Sequence, residues 1–148
     1  MKKKILFVLL FSLFGVAFSI WAELFLRNQT HNLYRWTTNN KIHFVGKNIY
    51  FFAHPLYYIS FGIWFTLNSF YSNIKSSLKS LLLSITIFIV FTIIVAFIDG
   101  NLRVIVCTAC DDGILKLHYN SVNFGLILGI SALLSLTPVI FKLIKLKK

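Results

Sequence analysis

The chain has 148 residues, 57% of them hydrophobic and only 13% charged, with a net charge of +11. That balance argues against a soluble globular protein and places residues 1–148 as one compact domain of the membrane class. With no soluble domain to carry a basic surface, the positive charge points to anionic membrane lipid as partner, not to nucleic acid.

In chain order, four apolar runs are each long enough to cross a hydrocarbon core about 30 Å thick. They fall at about residues 5–26, 49–71, 81–98 and 122–141. Backbone polar groups in lipid have to pair within their own segment, so each run is predicted to be a helix. The expected fold is an all-α membrane protein, a four-helix transmembrane bundle with small β-hairpins on its outer face. The first run follows Lys2, Lys3 and Lys4 and contains Ala17-Phe18-Ser19, a pattern that resembles a secretory signal peptide with a cleavage site. Its continuation through Trp21 to Leu26 is longer than a usual signal core and favours a retained helix.

After the first run, Leu33–Trp36 and Lys41–Val45 alternate around Thr37-Thr38-Asn39-Asn40, which has the composition of a turn. After the third, Leu102–Val106 and Ile114–His118 flank Cys107–Gly113. Both stretches read as β-hairpins that together form a small sheet, with a solvated loop as the plainer alternative. Ser72–Ser80 is short and makes the second and third runs an antiparallel pair. The fourth run carries Gly125, Gly129, Ala132 and Ser135 on one small-residue face, suited to close packing inside the bundle. Pro138 is predicted to kink or end its last turns.

Lysine and arginine set the orientation. With the N-terminus inside, nine of the fifteen basic residues lie on the inner side and six on the outer. Both termini are then cytoplasmic, and a composition rich in Lys, Ile, Phe and Asn suits a bacterial inner membrane. The acids Glu23, Asp99, Asp111 and Asp112, the histidines His31, His43, His54 and His118, and both cysteines all fall at or beyond the outer face. Any acid–base, metal or thiol chemistry is expected there.

One polar layer just under that face draws on all four runs. Glu23 lies three residues from the outer end of the first, His54 lies roughly 8 Å into the second, Asp99 closes the third, and Asn120 and Asn123 open the fourth. Arg103 and His118 stand beside them. Ionisable groups at membrane depth read as functional by default. The plainer accounts are an ion pair of Asp99 with Arg103 and a neutral His54 hydrogen-bonded to a neighbouring helix.

Cys107-Thr108-Ala109-Cys110 is the sharpest local motif. In an oxidising outer compartment the pair suits a local structural disulfide. Redox exchange needs an activated thiolate, which Asp111 and Asp112 disfavour, and no second cysteine pair exists to relay electrons. A metal site from Cys107, Cys110, His118 and an aspartate lacks a second C-x-x-C or paired histidines, so no metal or cofactor is assigned. Asp111-Asp112-Gly113 is either a turn or a carboxylate held opposite Asp99. Two carboxylates sharing one proton can activate water for peptide cleavage.

Tyr119-Asn120-Ser121-Val122-Asn123, leading into Phe124-Gly125-Leu126-Ile127-Leu128-Gly129, resembles the F-N-x-A-D box of the lipoprotein signal peptidases (type II). Phe97-Ile98-Asp99 resembles the end of that family's G-N-x-x-D-R box, without its glycine and asparagine in place. Glu23 stands near an acid that the family often has in its first helix. The resemblance implies a small inner-membrane aspartic endopeptidase with four helices, an outer β-cradle and a lipid-anchored or membrane-inserted peptide as substrate. It implies an active layer of Asp99, Asp111 or Asp112, and Asn123. The departures are specific. Asn123 occupies a catalytic aspartate position, and an amide cannot cycle a proton. The G-x-V-V-D-F stretch has no clean counterpart, so Asp111 or Asp112 serves only with a shifted register. The asparagine–glycine motif before the second helix is absent.

Two other functions fit the same residues. One is membrane thiol–disulfide exchange by Cys107 and Cys110. The other is a non-enzymatic scaffold or accessory subunit whose outer sheet binds a partner membrane protein. No run carries a charge at mid-membrane, which argues against ion-coupled transport.

Overall fold

The computed structural model describes residues 2–47, 54–75, 78–107 and 113–145. Its elements are α1 (Lys2–Thr37), β1 (Ile42–Val45), α2 (Pro55–Lys75), α3 (Leu78–Val106), β2 (Leu115–His118), a 3-10 turn (Tyr119–Ser121), α4 (Phe124–Ser135) and α5 (Thr137–Lys145). Among the described residues, three helical stretches are long and apolar enough to cross a membrane: Ile5–Thr37, Lys79–Val106 and Phe124–Lys145. In the most apolar windows of the first two, only 17% of residues are buried inside the protein, against 56% for the third. Leucine, isoleucine and phenylalanine therefore cover the outside of α1 and α3, an arrangement suited to lipid and adverse in water. The stretch that begins with α4 is the most buried of the three.

α2, expected as a fourth span, is not among these stretches. Ser60, Thr66, Asn68, Ser69, Ser72 and Asn73 dilute its apolar character. It is nevertheless held tightly in the bundle. A Cβ on Gly15 of α1 would lie 2.6 Å from the Phe61 carbonyl oxygen of α2, so the two backbones nearly touch. A Cβ on Gly129 of α4 would lie 3.2 Å from the backbone of Leu56. The small-residue face of α4 thus serves packing inside the bundle, with Ala132 and Ser135 buried beside it. Trp64 Nε1 donates to Ser135 Oγ at 2.9 Å, and Tyr57, Phe61, Phe124, Leu128 and Ala132 fill the core between α2 and α4.

Pro138 interrupts the last helix as expected. Proline has no N–H to offer the carbonyl four residues back. The chain breaks at Leu136, whose N–H bonds to the carbonyls of Leu133 and Leu134, and the Thr137 hydroxyl donates to Leu134 O.

The segments between helices differ from the expected hairpins. Leu33–Trp36 is the last turn of α1 and not a strand, and Leu102–Val106 is likewise the end of α3. α1 outruns its apolar run because its inward face continues in polar residues. On α1 the buried positions Glu23, Arg27, Thr30, His31 and Tyr34 recur at helical spacing. At its full 36 residues, α1 extends roughly 54 Å, well beyond a hydrocarbon core. α1 closes with Asn39 and Asn40 in the left-handed region, at φ 54° and 60°, a conformation asparagine tolerates.

Each inter-helix segment contributes one strand. β1 and β2 pair in parallel, with Ile42 opposite Leu115, His43 opposite Lys116, Phe44 opposite Leu117 and Val45 opposite His118. A parallel pair requires a crossover, and here the crossover contains α2 and α3. Alternation on β1 turns Ile42 and Phe44 inward and leaves His43 and Val45 exposed. Ile42 and Phe44 pack with Tyr34, Ala96, Val122 and Ile127 in a second core beneath the sheet. This sheet end of the bundle gathers the C-terminal turns of α1 and α3 and the starts of α2 and α4.

Candidate functional site at the sheet end

The polar residues of α1 form the inner wall of the site. Glu23 and Arg27 stand one turn apart on one face and are each 3% exposed. Charged groups are seldom this buried. The Tyr58 hydroxyl of α2 donates to Glu23 Oε2 at 2.8 Å. Arg27 Nη2 donates to Asn120 Oδ1, and its guanidinium lies 4.6 Å from the centre of the Phe124 ring. One turn on, His31 is buried with its ring 4.4 Å from Phe44 and 5.1 Å from Tyr119.

α3 supplies the second wall. Asp99 Oδ2 accepts from the Tyr34 hydroxyl at 2.6 Å and from Arg103 Nε at 2.7 Å. The Asp99–Arg103 pair expected as the plainer account is therefore present, and both side chains are about a third exposed. Asn101 Nδ2 donates to Thr37 O at 3.2 Å, tying α3 to the last carbonyls of α1.

The chain from β2 into α4 brings the remaining groups. His118 precedes the 3-10 turn, and its Nδ1 accepts from the Asn120 N–H at 3.3 Å. Asn123 is the N-cap of α4: its Oδ1 accepts from the Leu126 N–H at 3.1 Å, as asparagine commonly does at a helix start.

His54 requires a correction. Expected five residues inside a helix, it instead precedes α2, is exposed, and accepts the Leu56 N–H on Nδ1 at 3.2 Å. Pro55 explains this, because proline is favoured at the first position of a helix, where its missing N–H costs nothing. Tyr57 is fully buried and donates to Ser19 O at 2.8 Å. Trp21, by contrast, is 80% exposed.

Two cavities open at this end and share Asn123. One, about 480 Å³, is lined by Arg27, His54, Asn120, Ser121, Val122, Asn123 and Phe124. The other, about 250 Å³, is lined by Val95, Asp99, Arg103, Asn123, Leu126, Ile127 and Ile130. Of the sequence-predicted residues, Asp99, Arg103 and Asn123 thus meet in one cavity, and His54, Asn120 and Asn123 in the other. Glu23 and His118 line neither. Cys110, Asp111 and Asp112 lie outside the described residues. Cys107 follows α3, and no free cysteine occurs among the described residues. Nor do three His, Cys, Asp or Glu side chains converge among them.

The polar layer expected from the sequence did not include Arg27, His31, Tyr34 or Tyr58. The available signal was spacing: Glu23, Arg27, His31 and Tyr34 continue one face of α1 at intervals of four and three residues. Chemically, the layer offers a held carboxylate at Asp99, a buried cation at Arg27, and amides fixed by their own backbone contacts. No protein-family model matches the chain, and neither does any curated protein or solved structure.

Proposed function

We propose that the sheet end recognises lipid-anchored or membrane-inserted peptide from the outer leaflet, in a diverged relative of the lipoprotein signal peptidases. One observation carries this reading. Asp99 and Asn123, the two positions that the resemblance equates with that family's acidic boxes, line a single cavity between α3 and α4. Tyr34 and Arg103 both donate to Asp99 Oδ2, which holds the carboxyl group in place as an acceptor for peptide N–H groups. Asn123 keeps the helix start in register and offers its amide N–H groups to a peptide carbonyl. Cleavage requires a second carboxylate, for which Asp111 and Asp112 are the nearest acids in sequence.

The test is photo-crosslinking of a diacylglyceryl-modified peptide to the purified protein, followed by assay of its cleavage. Asp99→Asn is expected to abolish capture and processing in a protein that still folds, at a cost in stability about that of Tyr34→Phe. Cys107→Ser is expected to leave both intact. Asn123→Asp, which recreates the family's acidic pair, is expected to raise cleavage. Unchanged capture and processing in Asp99→Asn would defeat the reading.

A further inference from the structure

We propose that the cleft between α1 and α3 holds one acyl chain of a membrane phospholipid. Two cavities lie end to end in this cleft, about 350 and 400 Å³ in volume, and Leu26, Ile85 and Phe88 line both. On α3 the lining runs from Leu81 to Ile93, about 18 Å of helix. The mouth is open, because Phe25, Leu81, Ile85 and Ile89 are exposed. The floor is closed by Phe61, Leu128 and Ala132, which are buried.

The chemistry of the walls selects hydrocarbon. The cavity over Ala132 is lined wholly by Phe, Leu, Trp, Ile and Ala. The one polar side-chain group in that lining, the Trp64 N–H, already donates to Ser135 Oγ at 2.9 Å. The neighbouring cavity includes Thr30 and Thr92, but each hydroxyl is spent on its own helix. Thr30 donates to Leu26 O and Thr92 to Phe88 O, both at 2.8 Å. The remaining polar residue of that lining, Gln29, is exposed at the rim. An apolar cavity without polar partners stays dry and takes apolar guests.

Location and shape select the occupant. Both walls belong to stretches long and apolar enough to cross a membrane, where the surrounding medium is acyl chain. A partner helix is the other apolar occupant such a medium offers. Helices in lipid dock where small residues let backbones approach. Gly15 and Gly62 are already spent on the crossing of α1 with α2, and Gly129 on its contact with Leu56. The cleft is walled instead by Phe18, Phe65 and Phe88. These rings hold a second backbone away and leave room for a slender, flexible chain. The cleft shares no lining residue with the two cavities of the sheet end, so the proposal holds whether or not peptide binds there.

Native mass spectrometry of the full chain, released from detergent micelles containing dioleoylphosphatidylcholine, provides the test. Wild type is expected to keep one phospholipid. Ile85→Trp fills the part common to both cavities and is expected to lower retention roughly tenfold. Val90→Trp adds a ring at an exposed position that lines neither cavity and is expected to retain lipid like wild type. Equal retention by Ile85→Trp and wild type overturns the site, and a lipid-free dimer overturns the acyl occupant. Glycerophosphocholine, the same headgroup without chains, is expected to leave the lipid in place; displacement by it assigns the contact to the headgroup and overturns the proposal. Because Ile85→Trp can misfold, a second measurement keeps the cleft unaltered. With the exposed Trp21 and Trp36 replaced by Phe, Trp64 reports from the cleft wall. In vesicles of phosphatidylcholine brominated at mid-chain it is expected to lose most of its emission, and emission equal to that in unbrominated vesicles overturns the proposal.

Discussion

The Tyr34 hydroxyl reaches across from α1 to donate to Asp99 Oδ2 of α3 at 2.6 Å, 65 residues away in sequence. Arg103 donates to the same oxygen at 2.7 Å. Tyr34 is fully buried, so this contact joins the core beneath the sheet to the polar cavity above it. Tyr34→Phe keeps the ring and removes only the donor. The expected cost is about 1.5–3 kcal/mol, the range for a hydrogen bond to a charged group, read by denaturant unfolding in detergent. Breaking the Arg103 pair alone is expected to cost less, about 0–1 kcal/mol, because both partners are partly exposed and solvent screens them. The comparison of Tyr34→Phe with Arg103→Gln tests that order.

A second prediction concerns the crossing of α1 and α2. Alanine normally favours a helix interior over glycine by about 1 kcal/mol. At Gly15 the sign is expected to reverse, because the new Cβ would meet the Phe61 carbonyl oxygen at 2.6 Å and the Gly62 Cα at 2.9 Å. Both obstacles are backbone and cannot rotate away. Gly15→Ala is expected to lower stability by roughly 1–3 kcal/mol, as overpacking does. Gly62→Ala meets the Ser12 side chain at 3.2 Å and is expected to be milder. A Gly15→Ala protein as stable as wild type would show that the helices do not cross this closely.

How much was legible in the sequence follows from the same residues. The apolar cores of α1, α3 and α4 and the break at Pro138 read directly, since hydropathy and proline act locally. The strand segments 41–45 and 114–118 read correctly within a residue or two, but their pairing did not. Alternation fixes which side chains face inward and says nothing about which strand is the neighbour. The last turns of α1 were misread for a different reason. Thr30, His31, Tyr34 and Thr38 are buried, yet they are not the aliphatic residues by which a helix face is recognised. At the candidate site, residue type and depth single out Asp99, Arg103, Asn120 and Asn123. Arg27 was counted only as an outer charge, because its burial depends on Asn120, 93 residues away.

The sheet is expected to depend on one aromatic side chain. Phe44 is 8% exposed and touches His31, Tyr34 and Tyr119, with ring centres 4.4, 6.4 and 5.6 Å away. The Arg35 guanidinium, in the last turn of α1, lies 5.8 Å from its ring centre. Phe44→Ala removes the side chain around which these rings pack and is expected to cost about 3–5 kcal/mol. Limited proteolysis checks the location of the damage: cleavage should appear first within residues 38–47, while the bundle core resists. Uniform sensitivity along the chain would contradict a separate core beneath the sheet.

Gly46 is expected to be the least replaceable residue of the sheet end, for two separable reasons. Its φ is +90°, a backbone conformation that side chains with a Cβ disfavour by about 1–2 kcal/mol. Its missing Cβ also makes room for His118, since a Cβ there would lie 2.4 Å from Nε2 of that ring. His118 cannot simply swing aside, because its Nδ1 accepts from the Asn120 N–H, and Asn120 in turn holds Arg27. Gly46→Ala should therefore loosen β2 and the larger cavity together, visible as amide exchange at residues 115–121. Adding His118→Ala removes the steric clash but leaves the backbone cost. The double variant is expected to regain only part of the lost stability, and full recovery would show that crowding at His118, not the backbone conformation, is what requires glycine at position 46.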